Sequence, residues 1–277
     1  KGPVILTGSP RMQERPVGVL VDTLNSAGAK ISYLKNNGFP PIKIEGSVPS
    51  GEITIDGSIS SQFISSILLS VPYAKEEVRL HLTGEPVSLP YIMMTIDSMQ
   101  AFGASVSLDK KDNEPVFIVS PKHQYQPRRF SIEGDFSSCS YWFALAAILG
   151  GSATIQGLNP CSAQGDRRFL DVLEKMGCTR TITGDAITIS RDIKVPLKGI
   201  DVDMADCPDV VQTVCMVAAV SQSPTRIFGV HHLRMKESDR IAAIAKGLTG
   251  LGGNVVTKED EVIIYPKPLH GGVIHPE

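Results

Sequence analysis

The residues best able to do chemistry lie in short polar clusters, each directly ahead of an apolar run. One is Arg234-Met235-Lys236-Glu237-Ser238-Asp239-Arg240, followed by Ile241-Ala242-Ala243-Ile244. Lys236 and Arg240 are four apart, so a helix starting in this cluster would carry two cations on one face. Like charges at that spacing repel, and both oppose the positive end of the helix dipole. An anionic ligand would offset both costs; the alternative is a solvated turn screened by Glu237 and Asp239. Ser60-Ser61-Gln62, ahead of Phe63 to Leu69, offers two hydroxyls and an amide where a helix leaves backbone N–H groups unpaired. N-capping alone would need only one of them. Asp135 and Ser137-Ser138 open the run Tyr141 to Leu149 in the same way. Arg11 follows the turn Thr7-Gly8-Ser9-Pro10, from which a guanidinium either forks a carboxylate or phosphate or faces solvent. Pro16 is expected at the first helical position behind it. Asp209, in Asp206-Cys207-Pro208-Asp209, falls just inside an apolar helix, where a carboxylate serves as a cap or as a base reaching a cleft. Cys139, at a helix start, is placed for a lowered thiol pKa but lacks a nucleophile's partner.

Composition narrows the classes of function. The chain has 277 residues, 27 Lys+Arg against 29 Asp+Glu, and a formal net charge of −2. That balance speaks against a nucleic-acid surface, which needs a basic field. No apolar run is long enough to span a membrane, and neither end reads as a signal peptide. The cysteines, Cys139, Cys161, Cys178, Cys207 and Cys215, are odd in number and lack metal-ligand spacing. This favours a reduced, cytoplasmic setting without a disulfide scaffold or a zinc site.

An internal repeat must position these clusters. Four segments share a polar start, an amphipathic helix, a glycine and a strand: Arg15 to Leu34, Ser88 to Leu108, Gly165 to Ile182, and Glu237 to Val256. Their glycines, Gly28, Gly103, Gly177 and Gly252, are 75, 74 and 75 residues apart. Each is expected just past a helix C-terminus, where positive φ is wanted. Between them lie helices apolar nearly all round, which predicts burial on every face. These are expected to begin at Ser60, Ser137 and Asp209. Short alternating strands intervene: Glu52 to Asp56, Val78 to Leu82, and Ala153 to Gln156. The unit is βαβαββ. The fold class is α/β (α+β), with such units in two lobes, residues 1–129 and 130–277, joined at the polar stretch 124–129. Both ends look arbitrary against the period, as in a fragment.

In order and spacing, five motifs resemble the 5-enolpyruvylshikimate-3-phosphate synthase family, the 3-phosphoshikimate 1-carboxyvinyltransferases. They are Thr7 to Gly18, Ser60-Ser61-Gln62-Phe63, Ser88-Leu89-Pro90-Tyr91, Pro208-Asp209, and Lys236 to Arg240. The resemblance covers essentially the whole chain. It implies an inside-out α/β barrel in each of two lobes, incomplete here at both ends, with helix N-termini meeting at a cleft. Residues 1–129 would be the later part of the first lobe, on the shikimate 3-phosphate side. Residues 130–277 would be most of the second. The implied reaction moves the enolpyruvyl group of phosphoenolpyruvate to the 5-hydroxyl of shikimate 3-phosphate, toward chorismate and aromatic amino acids. No cofactor or metal is implied. The protein would be a cytoplasmic monomer with small-molecule substrates, and without nucleic-acid or membrane partners.

Residue by residue, the resemblance assigns Ser60, Ser61, Gln62, Ser88, Tyr91 and Lys236 to shikimate 3-phosphate. It assigns Arg11, Gln62 and Arg240 to phosphoenolpyruvate, Asp209 to the role of base, and Glu237 to proton transfer at the methylene carbon. Lys236 joins Asp209 and Glu237 in the catalytic set. His232, a further substrate contact, stands where the family often has Asn. The family's Gly-Ser-Lys-Ser, Asn-Ala-Gly-Thr and Asp-His-Arg segments and its last catalytic Lys do not occur, so the chain alone is expected to be inactive. Alternatives are a non-catalytic homologue that binds shikimate 3-phosphate, and an enolpyruvyl transferase acting on UDP-N-acetylglucosamine. The latter family carries a reactive Cys in a Gly-rich loop that this sequence lacks.

Overall fold

The computed structural model describes residues 2–111, 114–122, 124–236 and 238–274. The chain divides into two compact units, one ending at Arg129 and the other beginning at Phe130. The first contains β1 (Val4–Leu6), α1 (Gly18–Ser26), β2 (Lys30–Tyr33), β3 (Ile42–Glu45), β4 (Gly51–Asp56), α2 (Ser61–Ser70), β5 (Val78–Thr83), α3 (Leu89–Ala101), β6 (Ser105–Lys111) and β7 (Glu114–Ser120). Strands β1, β3 and β2 form an antiparallel sheet in that order. Strands β4, β5, β7 and β6 form a second sheet, in which β4 and β5 are parallel and the other pairs antiparallel. Elements β4 to β7 are thus one βαβαββ repeat.

The second unit contains α4 (Phe136–Leu149), β8 (Gly151–Ile155), α5 (Arg168–Lys175), β9 (Thr179–Thr183), β10 (Ala186–Arg191), β11 (Asp201–Asp203), α6 (Val211–Ala218), β12 (Thr225–Phe228), α7 (Arg240–Gly250), β13 (Asn254–Thr257) and β14 (Glu261–Tyr265). Its sheet β11-β12-β14-β13 reproduces β4-β5-β7-β6 strand for strand, the parallel first pair included. The sheet β8-β10-β9 is the same pattern with three strands. Alternation sets the inner faces: Ile53 and Ile55 of β4 and Val78, Leu80 and Leu82 of β5 are buried, while Glu52 and Arg79 point outward. Each such side chain contributes about 1.5–3 kcal/mol when removed from water. The two cores are separate, one around Ile64, Leu68, Leu80 and Phe117, the other around Phe143, Phe169, Val214 and Ile227.

The four period-setting glycines close four helices identically. Gly28, Gly103, Gly177 and Gly252 have φ of 96, 95, 108 and 84°. In each case the amide of the next residue donates to the carbonyl five residues back: Ala29 to Leu24, Ala104 to Met99, Cys178 to Leu173 and Gly253 to Leu248, at 2.8–3.0 Å. This is the 6→1 bond of a Schellman cap, which requires a left-handed residue between donor and helix.

Several local expectations are corrected. Helix α1 starts at Gly18 behind Val17, not at Pro16, because residues 12–14 form their own 3-10 turn and the Val17 amide is held by Gly38 O at 2.8 Å. Helix α4 starts at Phe136 rather than Ser137, since Asp135 is the cap, accepting from the amides of Ser137 and Ser138. Lys236 and Arg240 do not share a helix face. Lys236 is extended (φ −81°, ψ −165°), and α7 begins only at Arg240, capped by Asp239 accepting from the Ala242 amide at 2.9 Å. Burial on every face fails for α4. Phe136, Phe143 and Ala147 are buried, but Tyr141, Trp142 and Leu149 are more than half exposed, because α4 packs on α6, β8 and β10 from one side only.

Candidate functional site

In the second unit the 3-10 turn Pro208–Val210 carries Asp209 ahead of α6, and Arg240 is the first residue of α7. The fold brings them into contact: Arg240 Nη1 donates to Asp209 Oδ1 at 2.6 Å in a half-buried ion pair. They line a recess of about 540 Å³ with Ser137, Gln212 and Ser238, which continues over the apolar side chains Ile244 and Leu248. The segment leading into α7 is anchored by Arg234. Its guanidinium bonds the carbonyls of Lys258 and Glu259 and, at 3.2 Å, the carboxylate of the cap Asp239. Arg234 thus fixes the backbone from which Lys236 and Arg240 project.

His232 is 3% exposed and both its ring nitrogens are buried without a hydrogen-bond partner. Burial first, and then the neighbouring charge of Lys236, lower its pKa to about 4. The ring is therefore neutral near pH 7, and its proximity to Lys236 and Arg240 is registered in that shift. Glu237 lies outside the described residues. Burial holds several of the thiols protonated. Burial and, second, the charge of Asp135 raise the pKa of Cys139, against the expected lowering. Burial pushes Cys207 and Cys215 up to about 12.

In the first unit Ser60 is the N-cap of α2, its hydroxyl accepting from the Gln62 amide at 3.3 Å. Capping therefore accounts for Ser60, but not for Ser61 and Gln62. Those two line a recess of about 340 Å³ together with Tyr91, Ser65 and Thr95. Ser88 precedes α3 with φ +54°, alone among the described non-glycine residues in having positive φ. Its hydroxyl caps nothing and is buried without a partner. A left-handed non-glycine residue costs about 1–3 kcal/mol, and an unsatisfied buried hydroxyl adds to that. Strain of this kind marks functional positions. Arg11 is not among the residues lining this recess; its guanidinium bonds Glu14 at 2.9 Å and is largely exposed.

The structure therefore joins Asp209 with Arg240, Lys236 with His232, and Ser61 and Gln62 with Tyr91. Sequence reasoning missed Gln212 as a site residue. Its Oε1 is buried without a partner, and the residue lines the recess beside Asp209. Its signal was its place three residues after Asp209, on the same side of one helical start.

A sequence model of the family described as EPSP synthase (3-phosphoshikimate 1-carboxyvinyltransferase) matches residues 1–276. A 3-phosphoshikimate 1-carboxyvinyltransferase of Methanospirillum hungatei is 70% identical over 276 residues, covering 100% of this chain and 64% of the relative. One from Methanoregula boonei is 49% identical over 274 residues, covering 99% and 64%. The chain thus spans about two-thirds (64%) of the length of these relatives. Among solved structures, EPSP synthase from Acinetobacter baumannii superposes with a TM-score of 0.73 at 24% identity, over 96% of this chain and 60% of that one. The enolpyruvyl transferase NikO from Streptomyces tendae gives 0.71 at 16% identity, over the same shares. The two superpositions establish a shared α/β fold, and with the 70% identity in sequence the chain belongs to the EPSP synthase family.

Proposed function

We propose that this chain serves transfer of the enolpyruvyl group from phosphoenolpyruvate to the 5-hydroxyl of shikimate 3-phosphate, with release of phosphate. The 70% identity to a 3-phosphoshikimate 1-carboxyvinyltransferase supports the reaction. The observation that carries the chemistry is the Asp209–Arg240 contact, a carboxylate and a guanidinium held 2.6 Å apart at the edge of a recess. In the reaction the 5-hydroxyl oxygen bonds to C2 of phosphoenolpyruvate, its proton passes to Asp209, and C3 takes up a proton. The tetrahedral intermediate then breaks its C2–O bond to phosphate, which takes up a proton as it leaves, C3 gives its proton back to restore the double bond of the enol ether, and Asp209 releases the proton it took. These steps balance without a cofactor.

The remaining roles follow from the charges involved. Arg11, Gln62 and Arg240 take phosphoenolpyruvate, whose anionic groups suit guanidinium forks. Ser60, Ser61, Gln62, Ser88, Tyr91 and Lys236 take shikimate 3-phosphate, with His232 as a further contact. Glu237 handles the proton at C3. Residues 1–129 belong on this reading to the shikimate 3-phosphate lobe and residues 130–277 to the second. We place the protein in the cytoplasm as a monomer. The free thiols of Cys139, Cys161, Cys178, Cys207 and Cys215 support a reducing compartment, and no described helix is long and apolar enough to cross a membrane. The test is a phosphate-release assay on protein of the relatives' full length. Release is expected with phosphoenolpyruvate and shikimate 3-phosphate together and not with either alone. Release with UDP-N-acetylglucosamine instead, or binding of shikimate 3-phosphate without release, would replace the assignment.

A further inference from the structure

Ser137 lines the same recess as Asp209, Gln212 and Arg240, yet none of the roles above uses it. Its hydroxyl proton is already committed, because it donates to the Asp166 carboxylate. Asp166 is 2% exposed and sits in the 3-10 turn Gly165–Arg167. That turn is fastened to the start of α4: the Phe136 amide donates to Gln164 Oε1 at 2.9 Å, and Gln164 Nε2 donates to Gly134 O at 2.9 Å. Ser137 is also tied to α6, the helix that Asp209 precedes. Its carbonyl accepts from the Ser140 hydroxyl at 2.6 Å, and Ser140 shares a hydrogen bond of 3.1 Å with Thr213 of α6. Ser140 and Thr213 are both buried, and a satisfied buried link of this kind is rigid. The Ser137 hydroxyl is thus held in place from two sides.

A serine hydroxyl has one proton to give and two lone pairs to offer. With its proton on Asp166, Ser137 meets the recess as an acceptor only. The neighbouring charges act in the same sense. Asp135, the cap of α4, also draws on this hydroxyl: burial raises its pKa, and hydrogen bonds from Ser138 and, last, from Ser137 more than reverse that shift. Two carboxylates behind Ser137 make this end of the recess electronegative. A phosphate or carboxylate oxygen brings no proton and is repelled there, whereas a ligand hydroxyl brings the proton that Ser137 lacks. We propose that Ser137 is a substrate-binding residue that accepts a hydrogen bond from a ring hydroxyl, and that Asp166 is the positioning residue that makes it an acceptor. The identity of that hydroxyl rests on the reaction proposed above. Asp209 takes the 5-hydroxyl and position 3 carries the phosphate, so the hydroxyl left for Ser137 is the one at position 4 of shikimate 3-phosphate.

Calorimetry on protein of the relatives' full length, with shikimate 3-phosphate and its 4-deoxy analogue, tests this. The wild type should bind the analogue roughly three- to tenfold more weakly, the size of one neutral hydrogen bond. Ser137→Ala should bind the two compounds alike, because the partner of the 4-hydroxyl is gone. Asp166→Asn, whose amide is able to donate to Ser137 as well as accept from it, should lose part of the discrimination and add nothing in the Ser137→Ala background. A role confined to the stability of α4 would weaken both compounds together and leave their ratio at the wild-type value in Ser137→Ala; that result would overturn the proposal. So would a wild type that binds both compounds alike. A wild type that binds neither would overturn the reaction assignment, and with it the ligand named here, whereas binding that ignores Ser137 overturns this proposal alone.

Discussion

Arg240 and Asp209 lie 31 residues apart and meet at 2.6 Å, so each conditions the other. A charge-assisted hydrogen bond is worth about 1.5–3 kcal/mol. On the proposed role, Arg240→Ala in protein of the relatives' full length is therefore expected to raise the KM for phosphoenolpyruvate roughly 10- to 100-fold. Arg240→Lys should fall between, since it keeps the charge and loses the fork; steady-state kinetics on the two variants checks this. His232 gives a pH signature. Its folded pKa is about 4, below the usual 6.5, so only the unfolded chain takes up the proton between those values. Stability is full above about pH 6.5 and falls as the pH drops toward 4, on the order of 3 kcal/mol for this one group. Replacing it with a residue that does not titrate, His232→Leu, should remove that share of the pH dependence. Urea unfolding of both proteins at pH 7 and pH 4.5 measures it, and an unchanged difference between the two pH values would refute it. Ser88, at φ +54°, should gain up to about 1 kcal/mol of stability as Ser88→Gly, because glycine relieves the left-handed strain. On the proposed role, the same variant should bind shikimate 3-phosphate less tightly, readable by calorimetry.

At the scale of elements, the four glycine caps were legible because positive φ after a helix selects one residue type. Gly177 shows what that choice is worth. A Cβ there would meet nothing closer than Pro196 O at 3.6 Å, so space is available and only φ +108° objects. Gly177→Ala should cost about 1–2 kcal/mol through backbone strain alone, measurable as a lowered urea midpoint. The strands around Ile53, Leu80 and Ile155 were equally legible from alternation. The apolar girth of α4 was not a guide to its burial. Periodicity reports which faces of a helix are able to bury, not which meet a neighbour, and Tyr141 and Trp142 meet none that covers them. The start of α7 was misread for a related reason. Asp239 outcompetes residues earlier in the cluster as cap, leaving Lys236 extended and off the helix.

At the scale of the molecule, the 75-residue period exposed the architecture, since each βαβαββ repeat must rebuild the same caps and strand pairs. The motifs placed the candidate residues in order along the chain, but not in space. The Asp209–Arg240 contact depends on how α7 packs against α6, and the buried, unpartnered Gln212 and His232 depend on the same packing. Of these only Gln212 had a signal in local spacing, three residues after Asp209. The central claim is that Asp209 is the base in enolpyruvyl transfer. Its most direct test is Asp209→Asn in protein of the relatives' full length, with turnover and shikimate 3-phosphate affinity measured together. The amide is isosteric and neutral, so affinity should stay within about tenfold while kcat falls by roughly 10²–10⁴, the usual general-base contribution. Wild-type turnover in Asp209→Asn would contradict the claim.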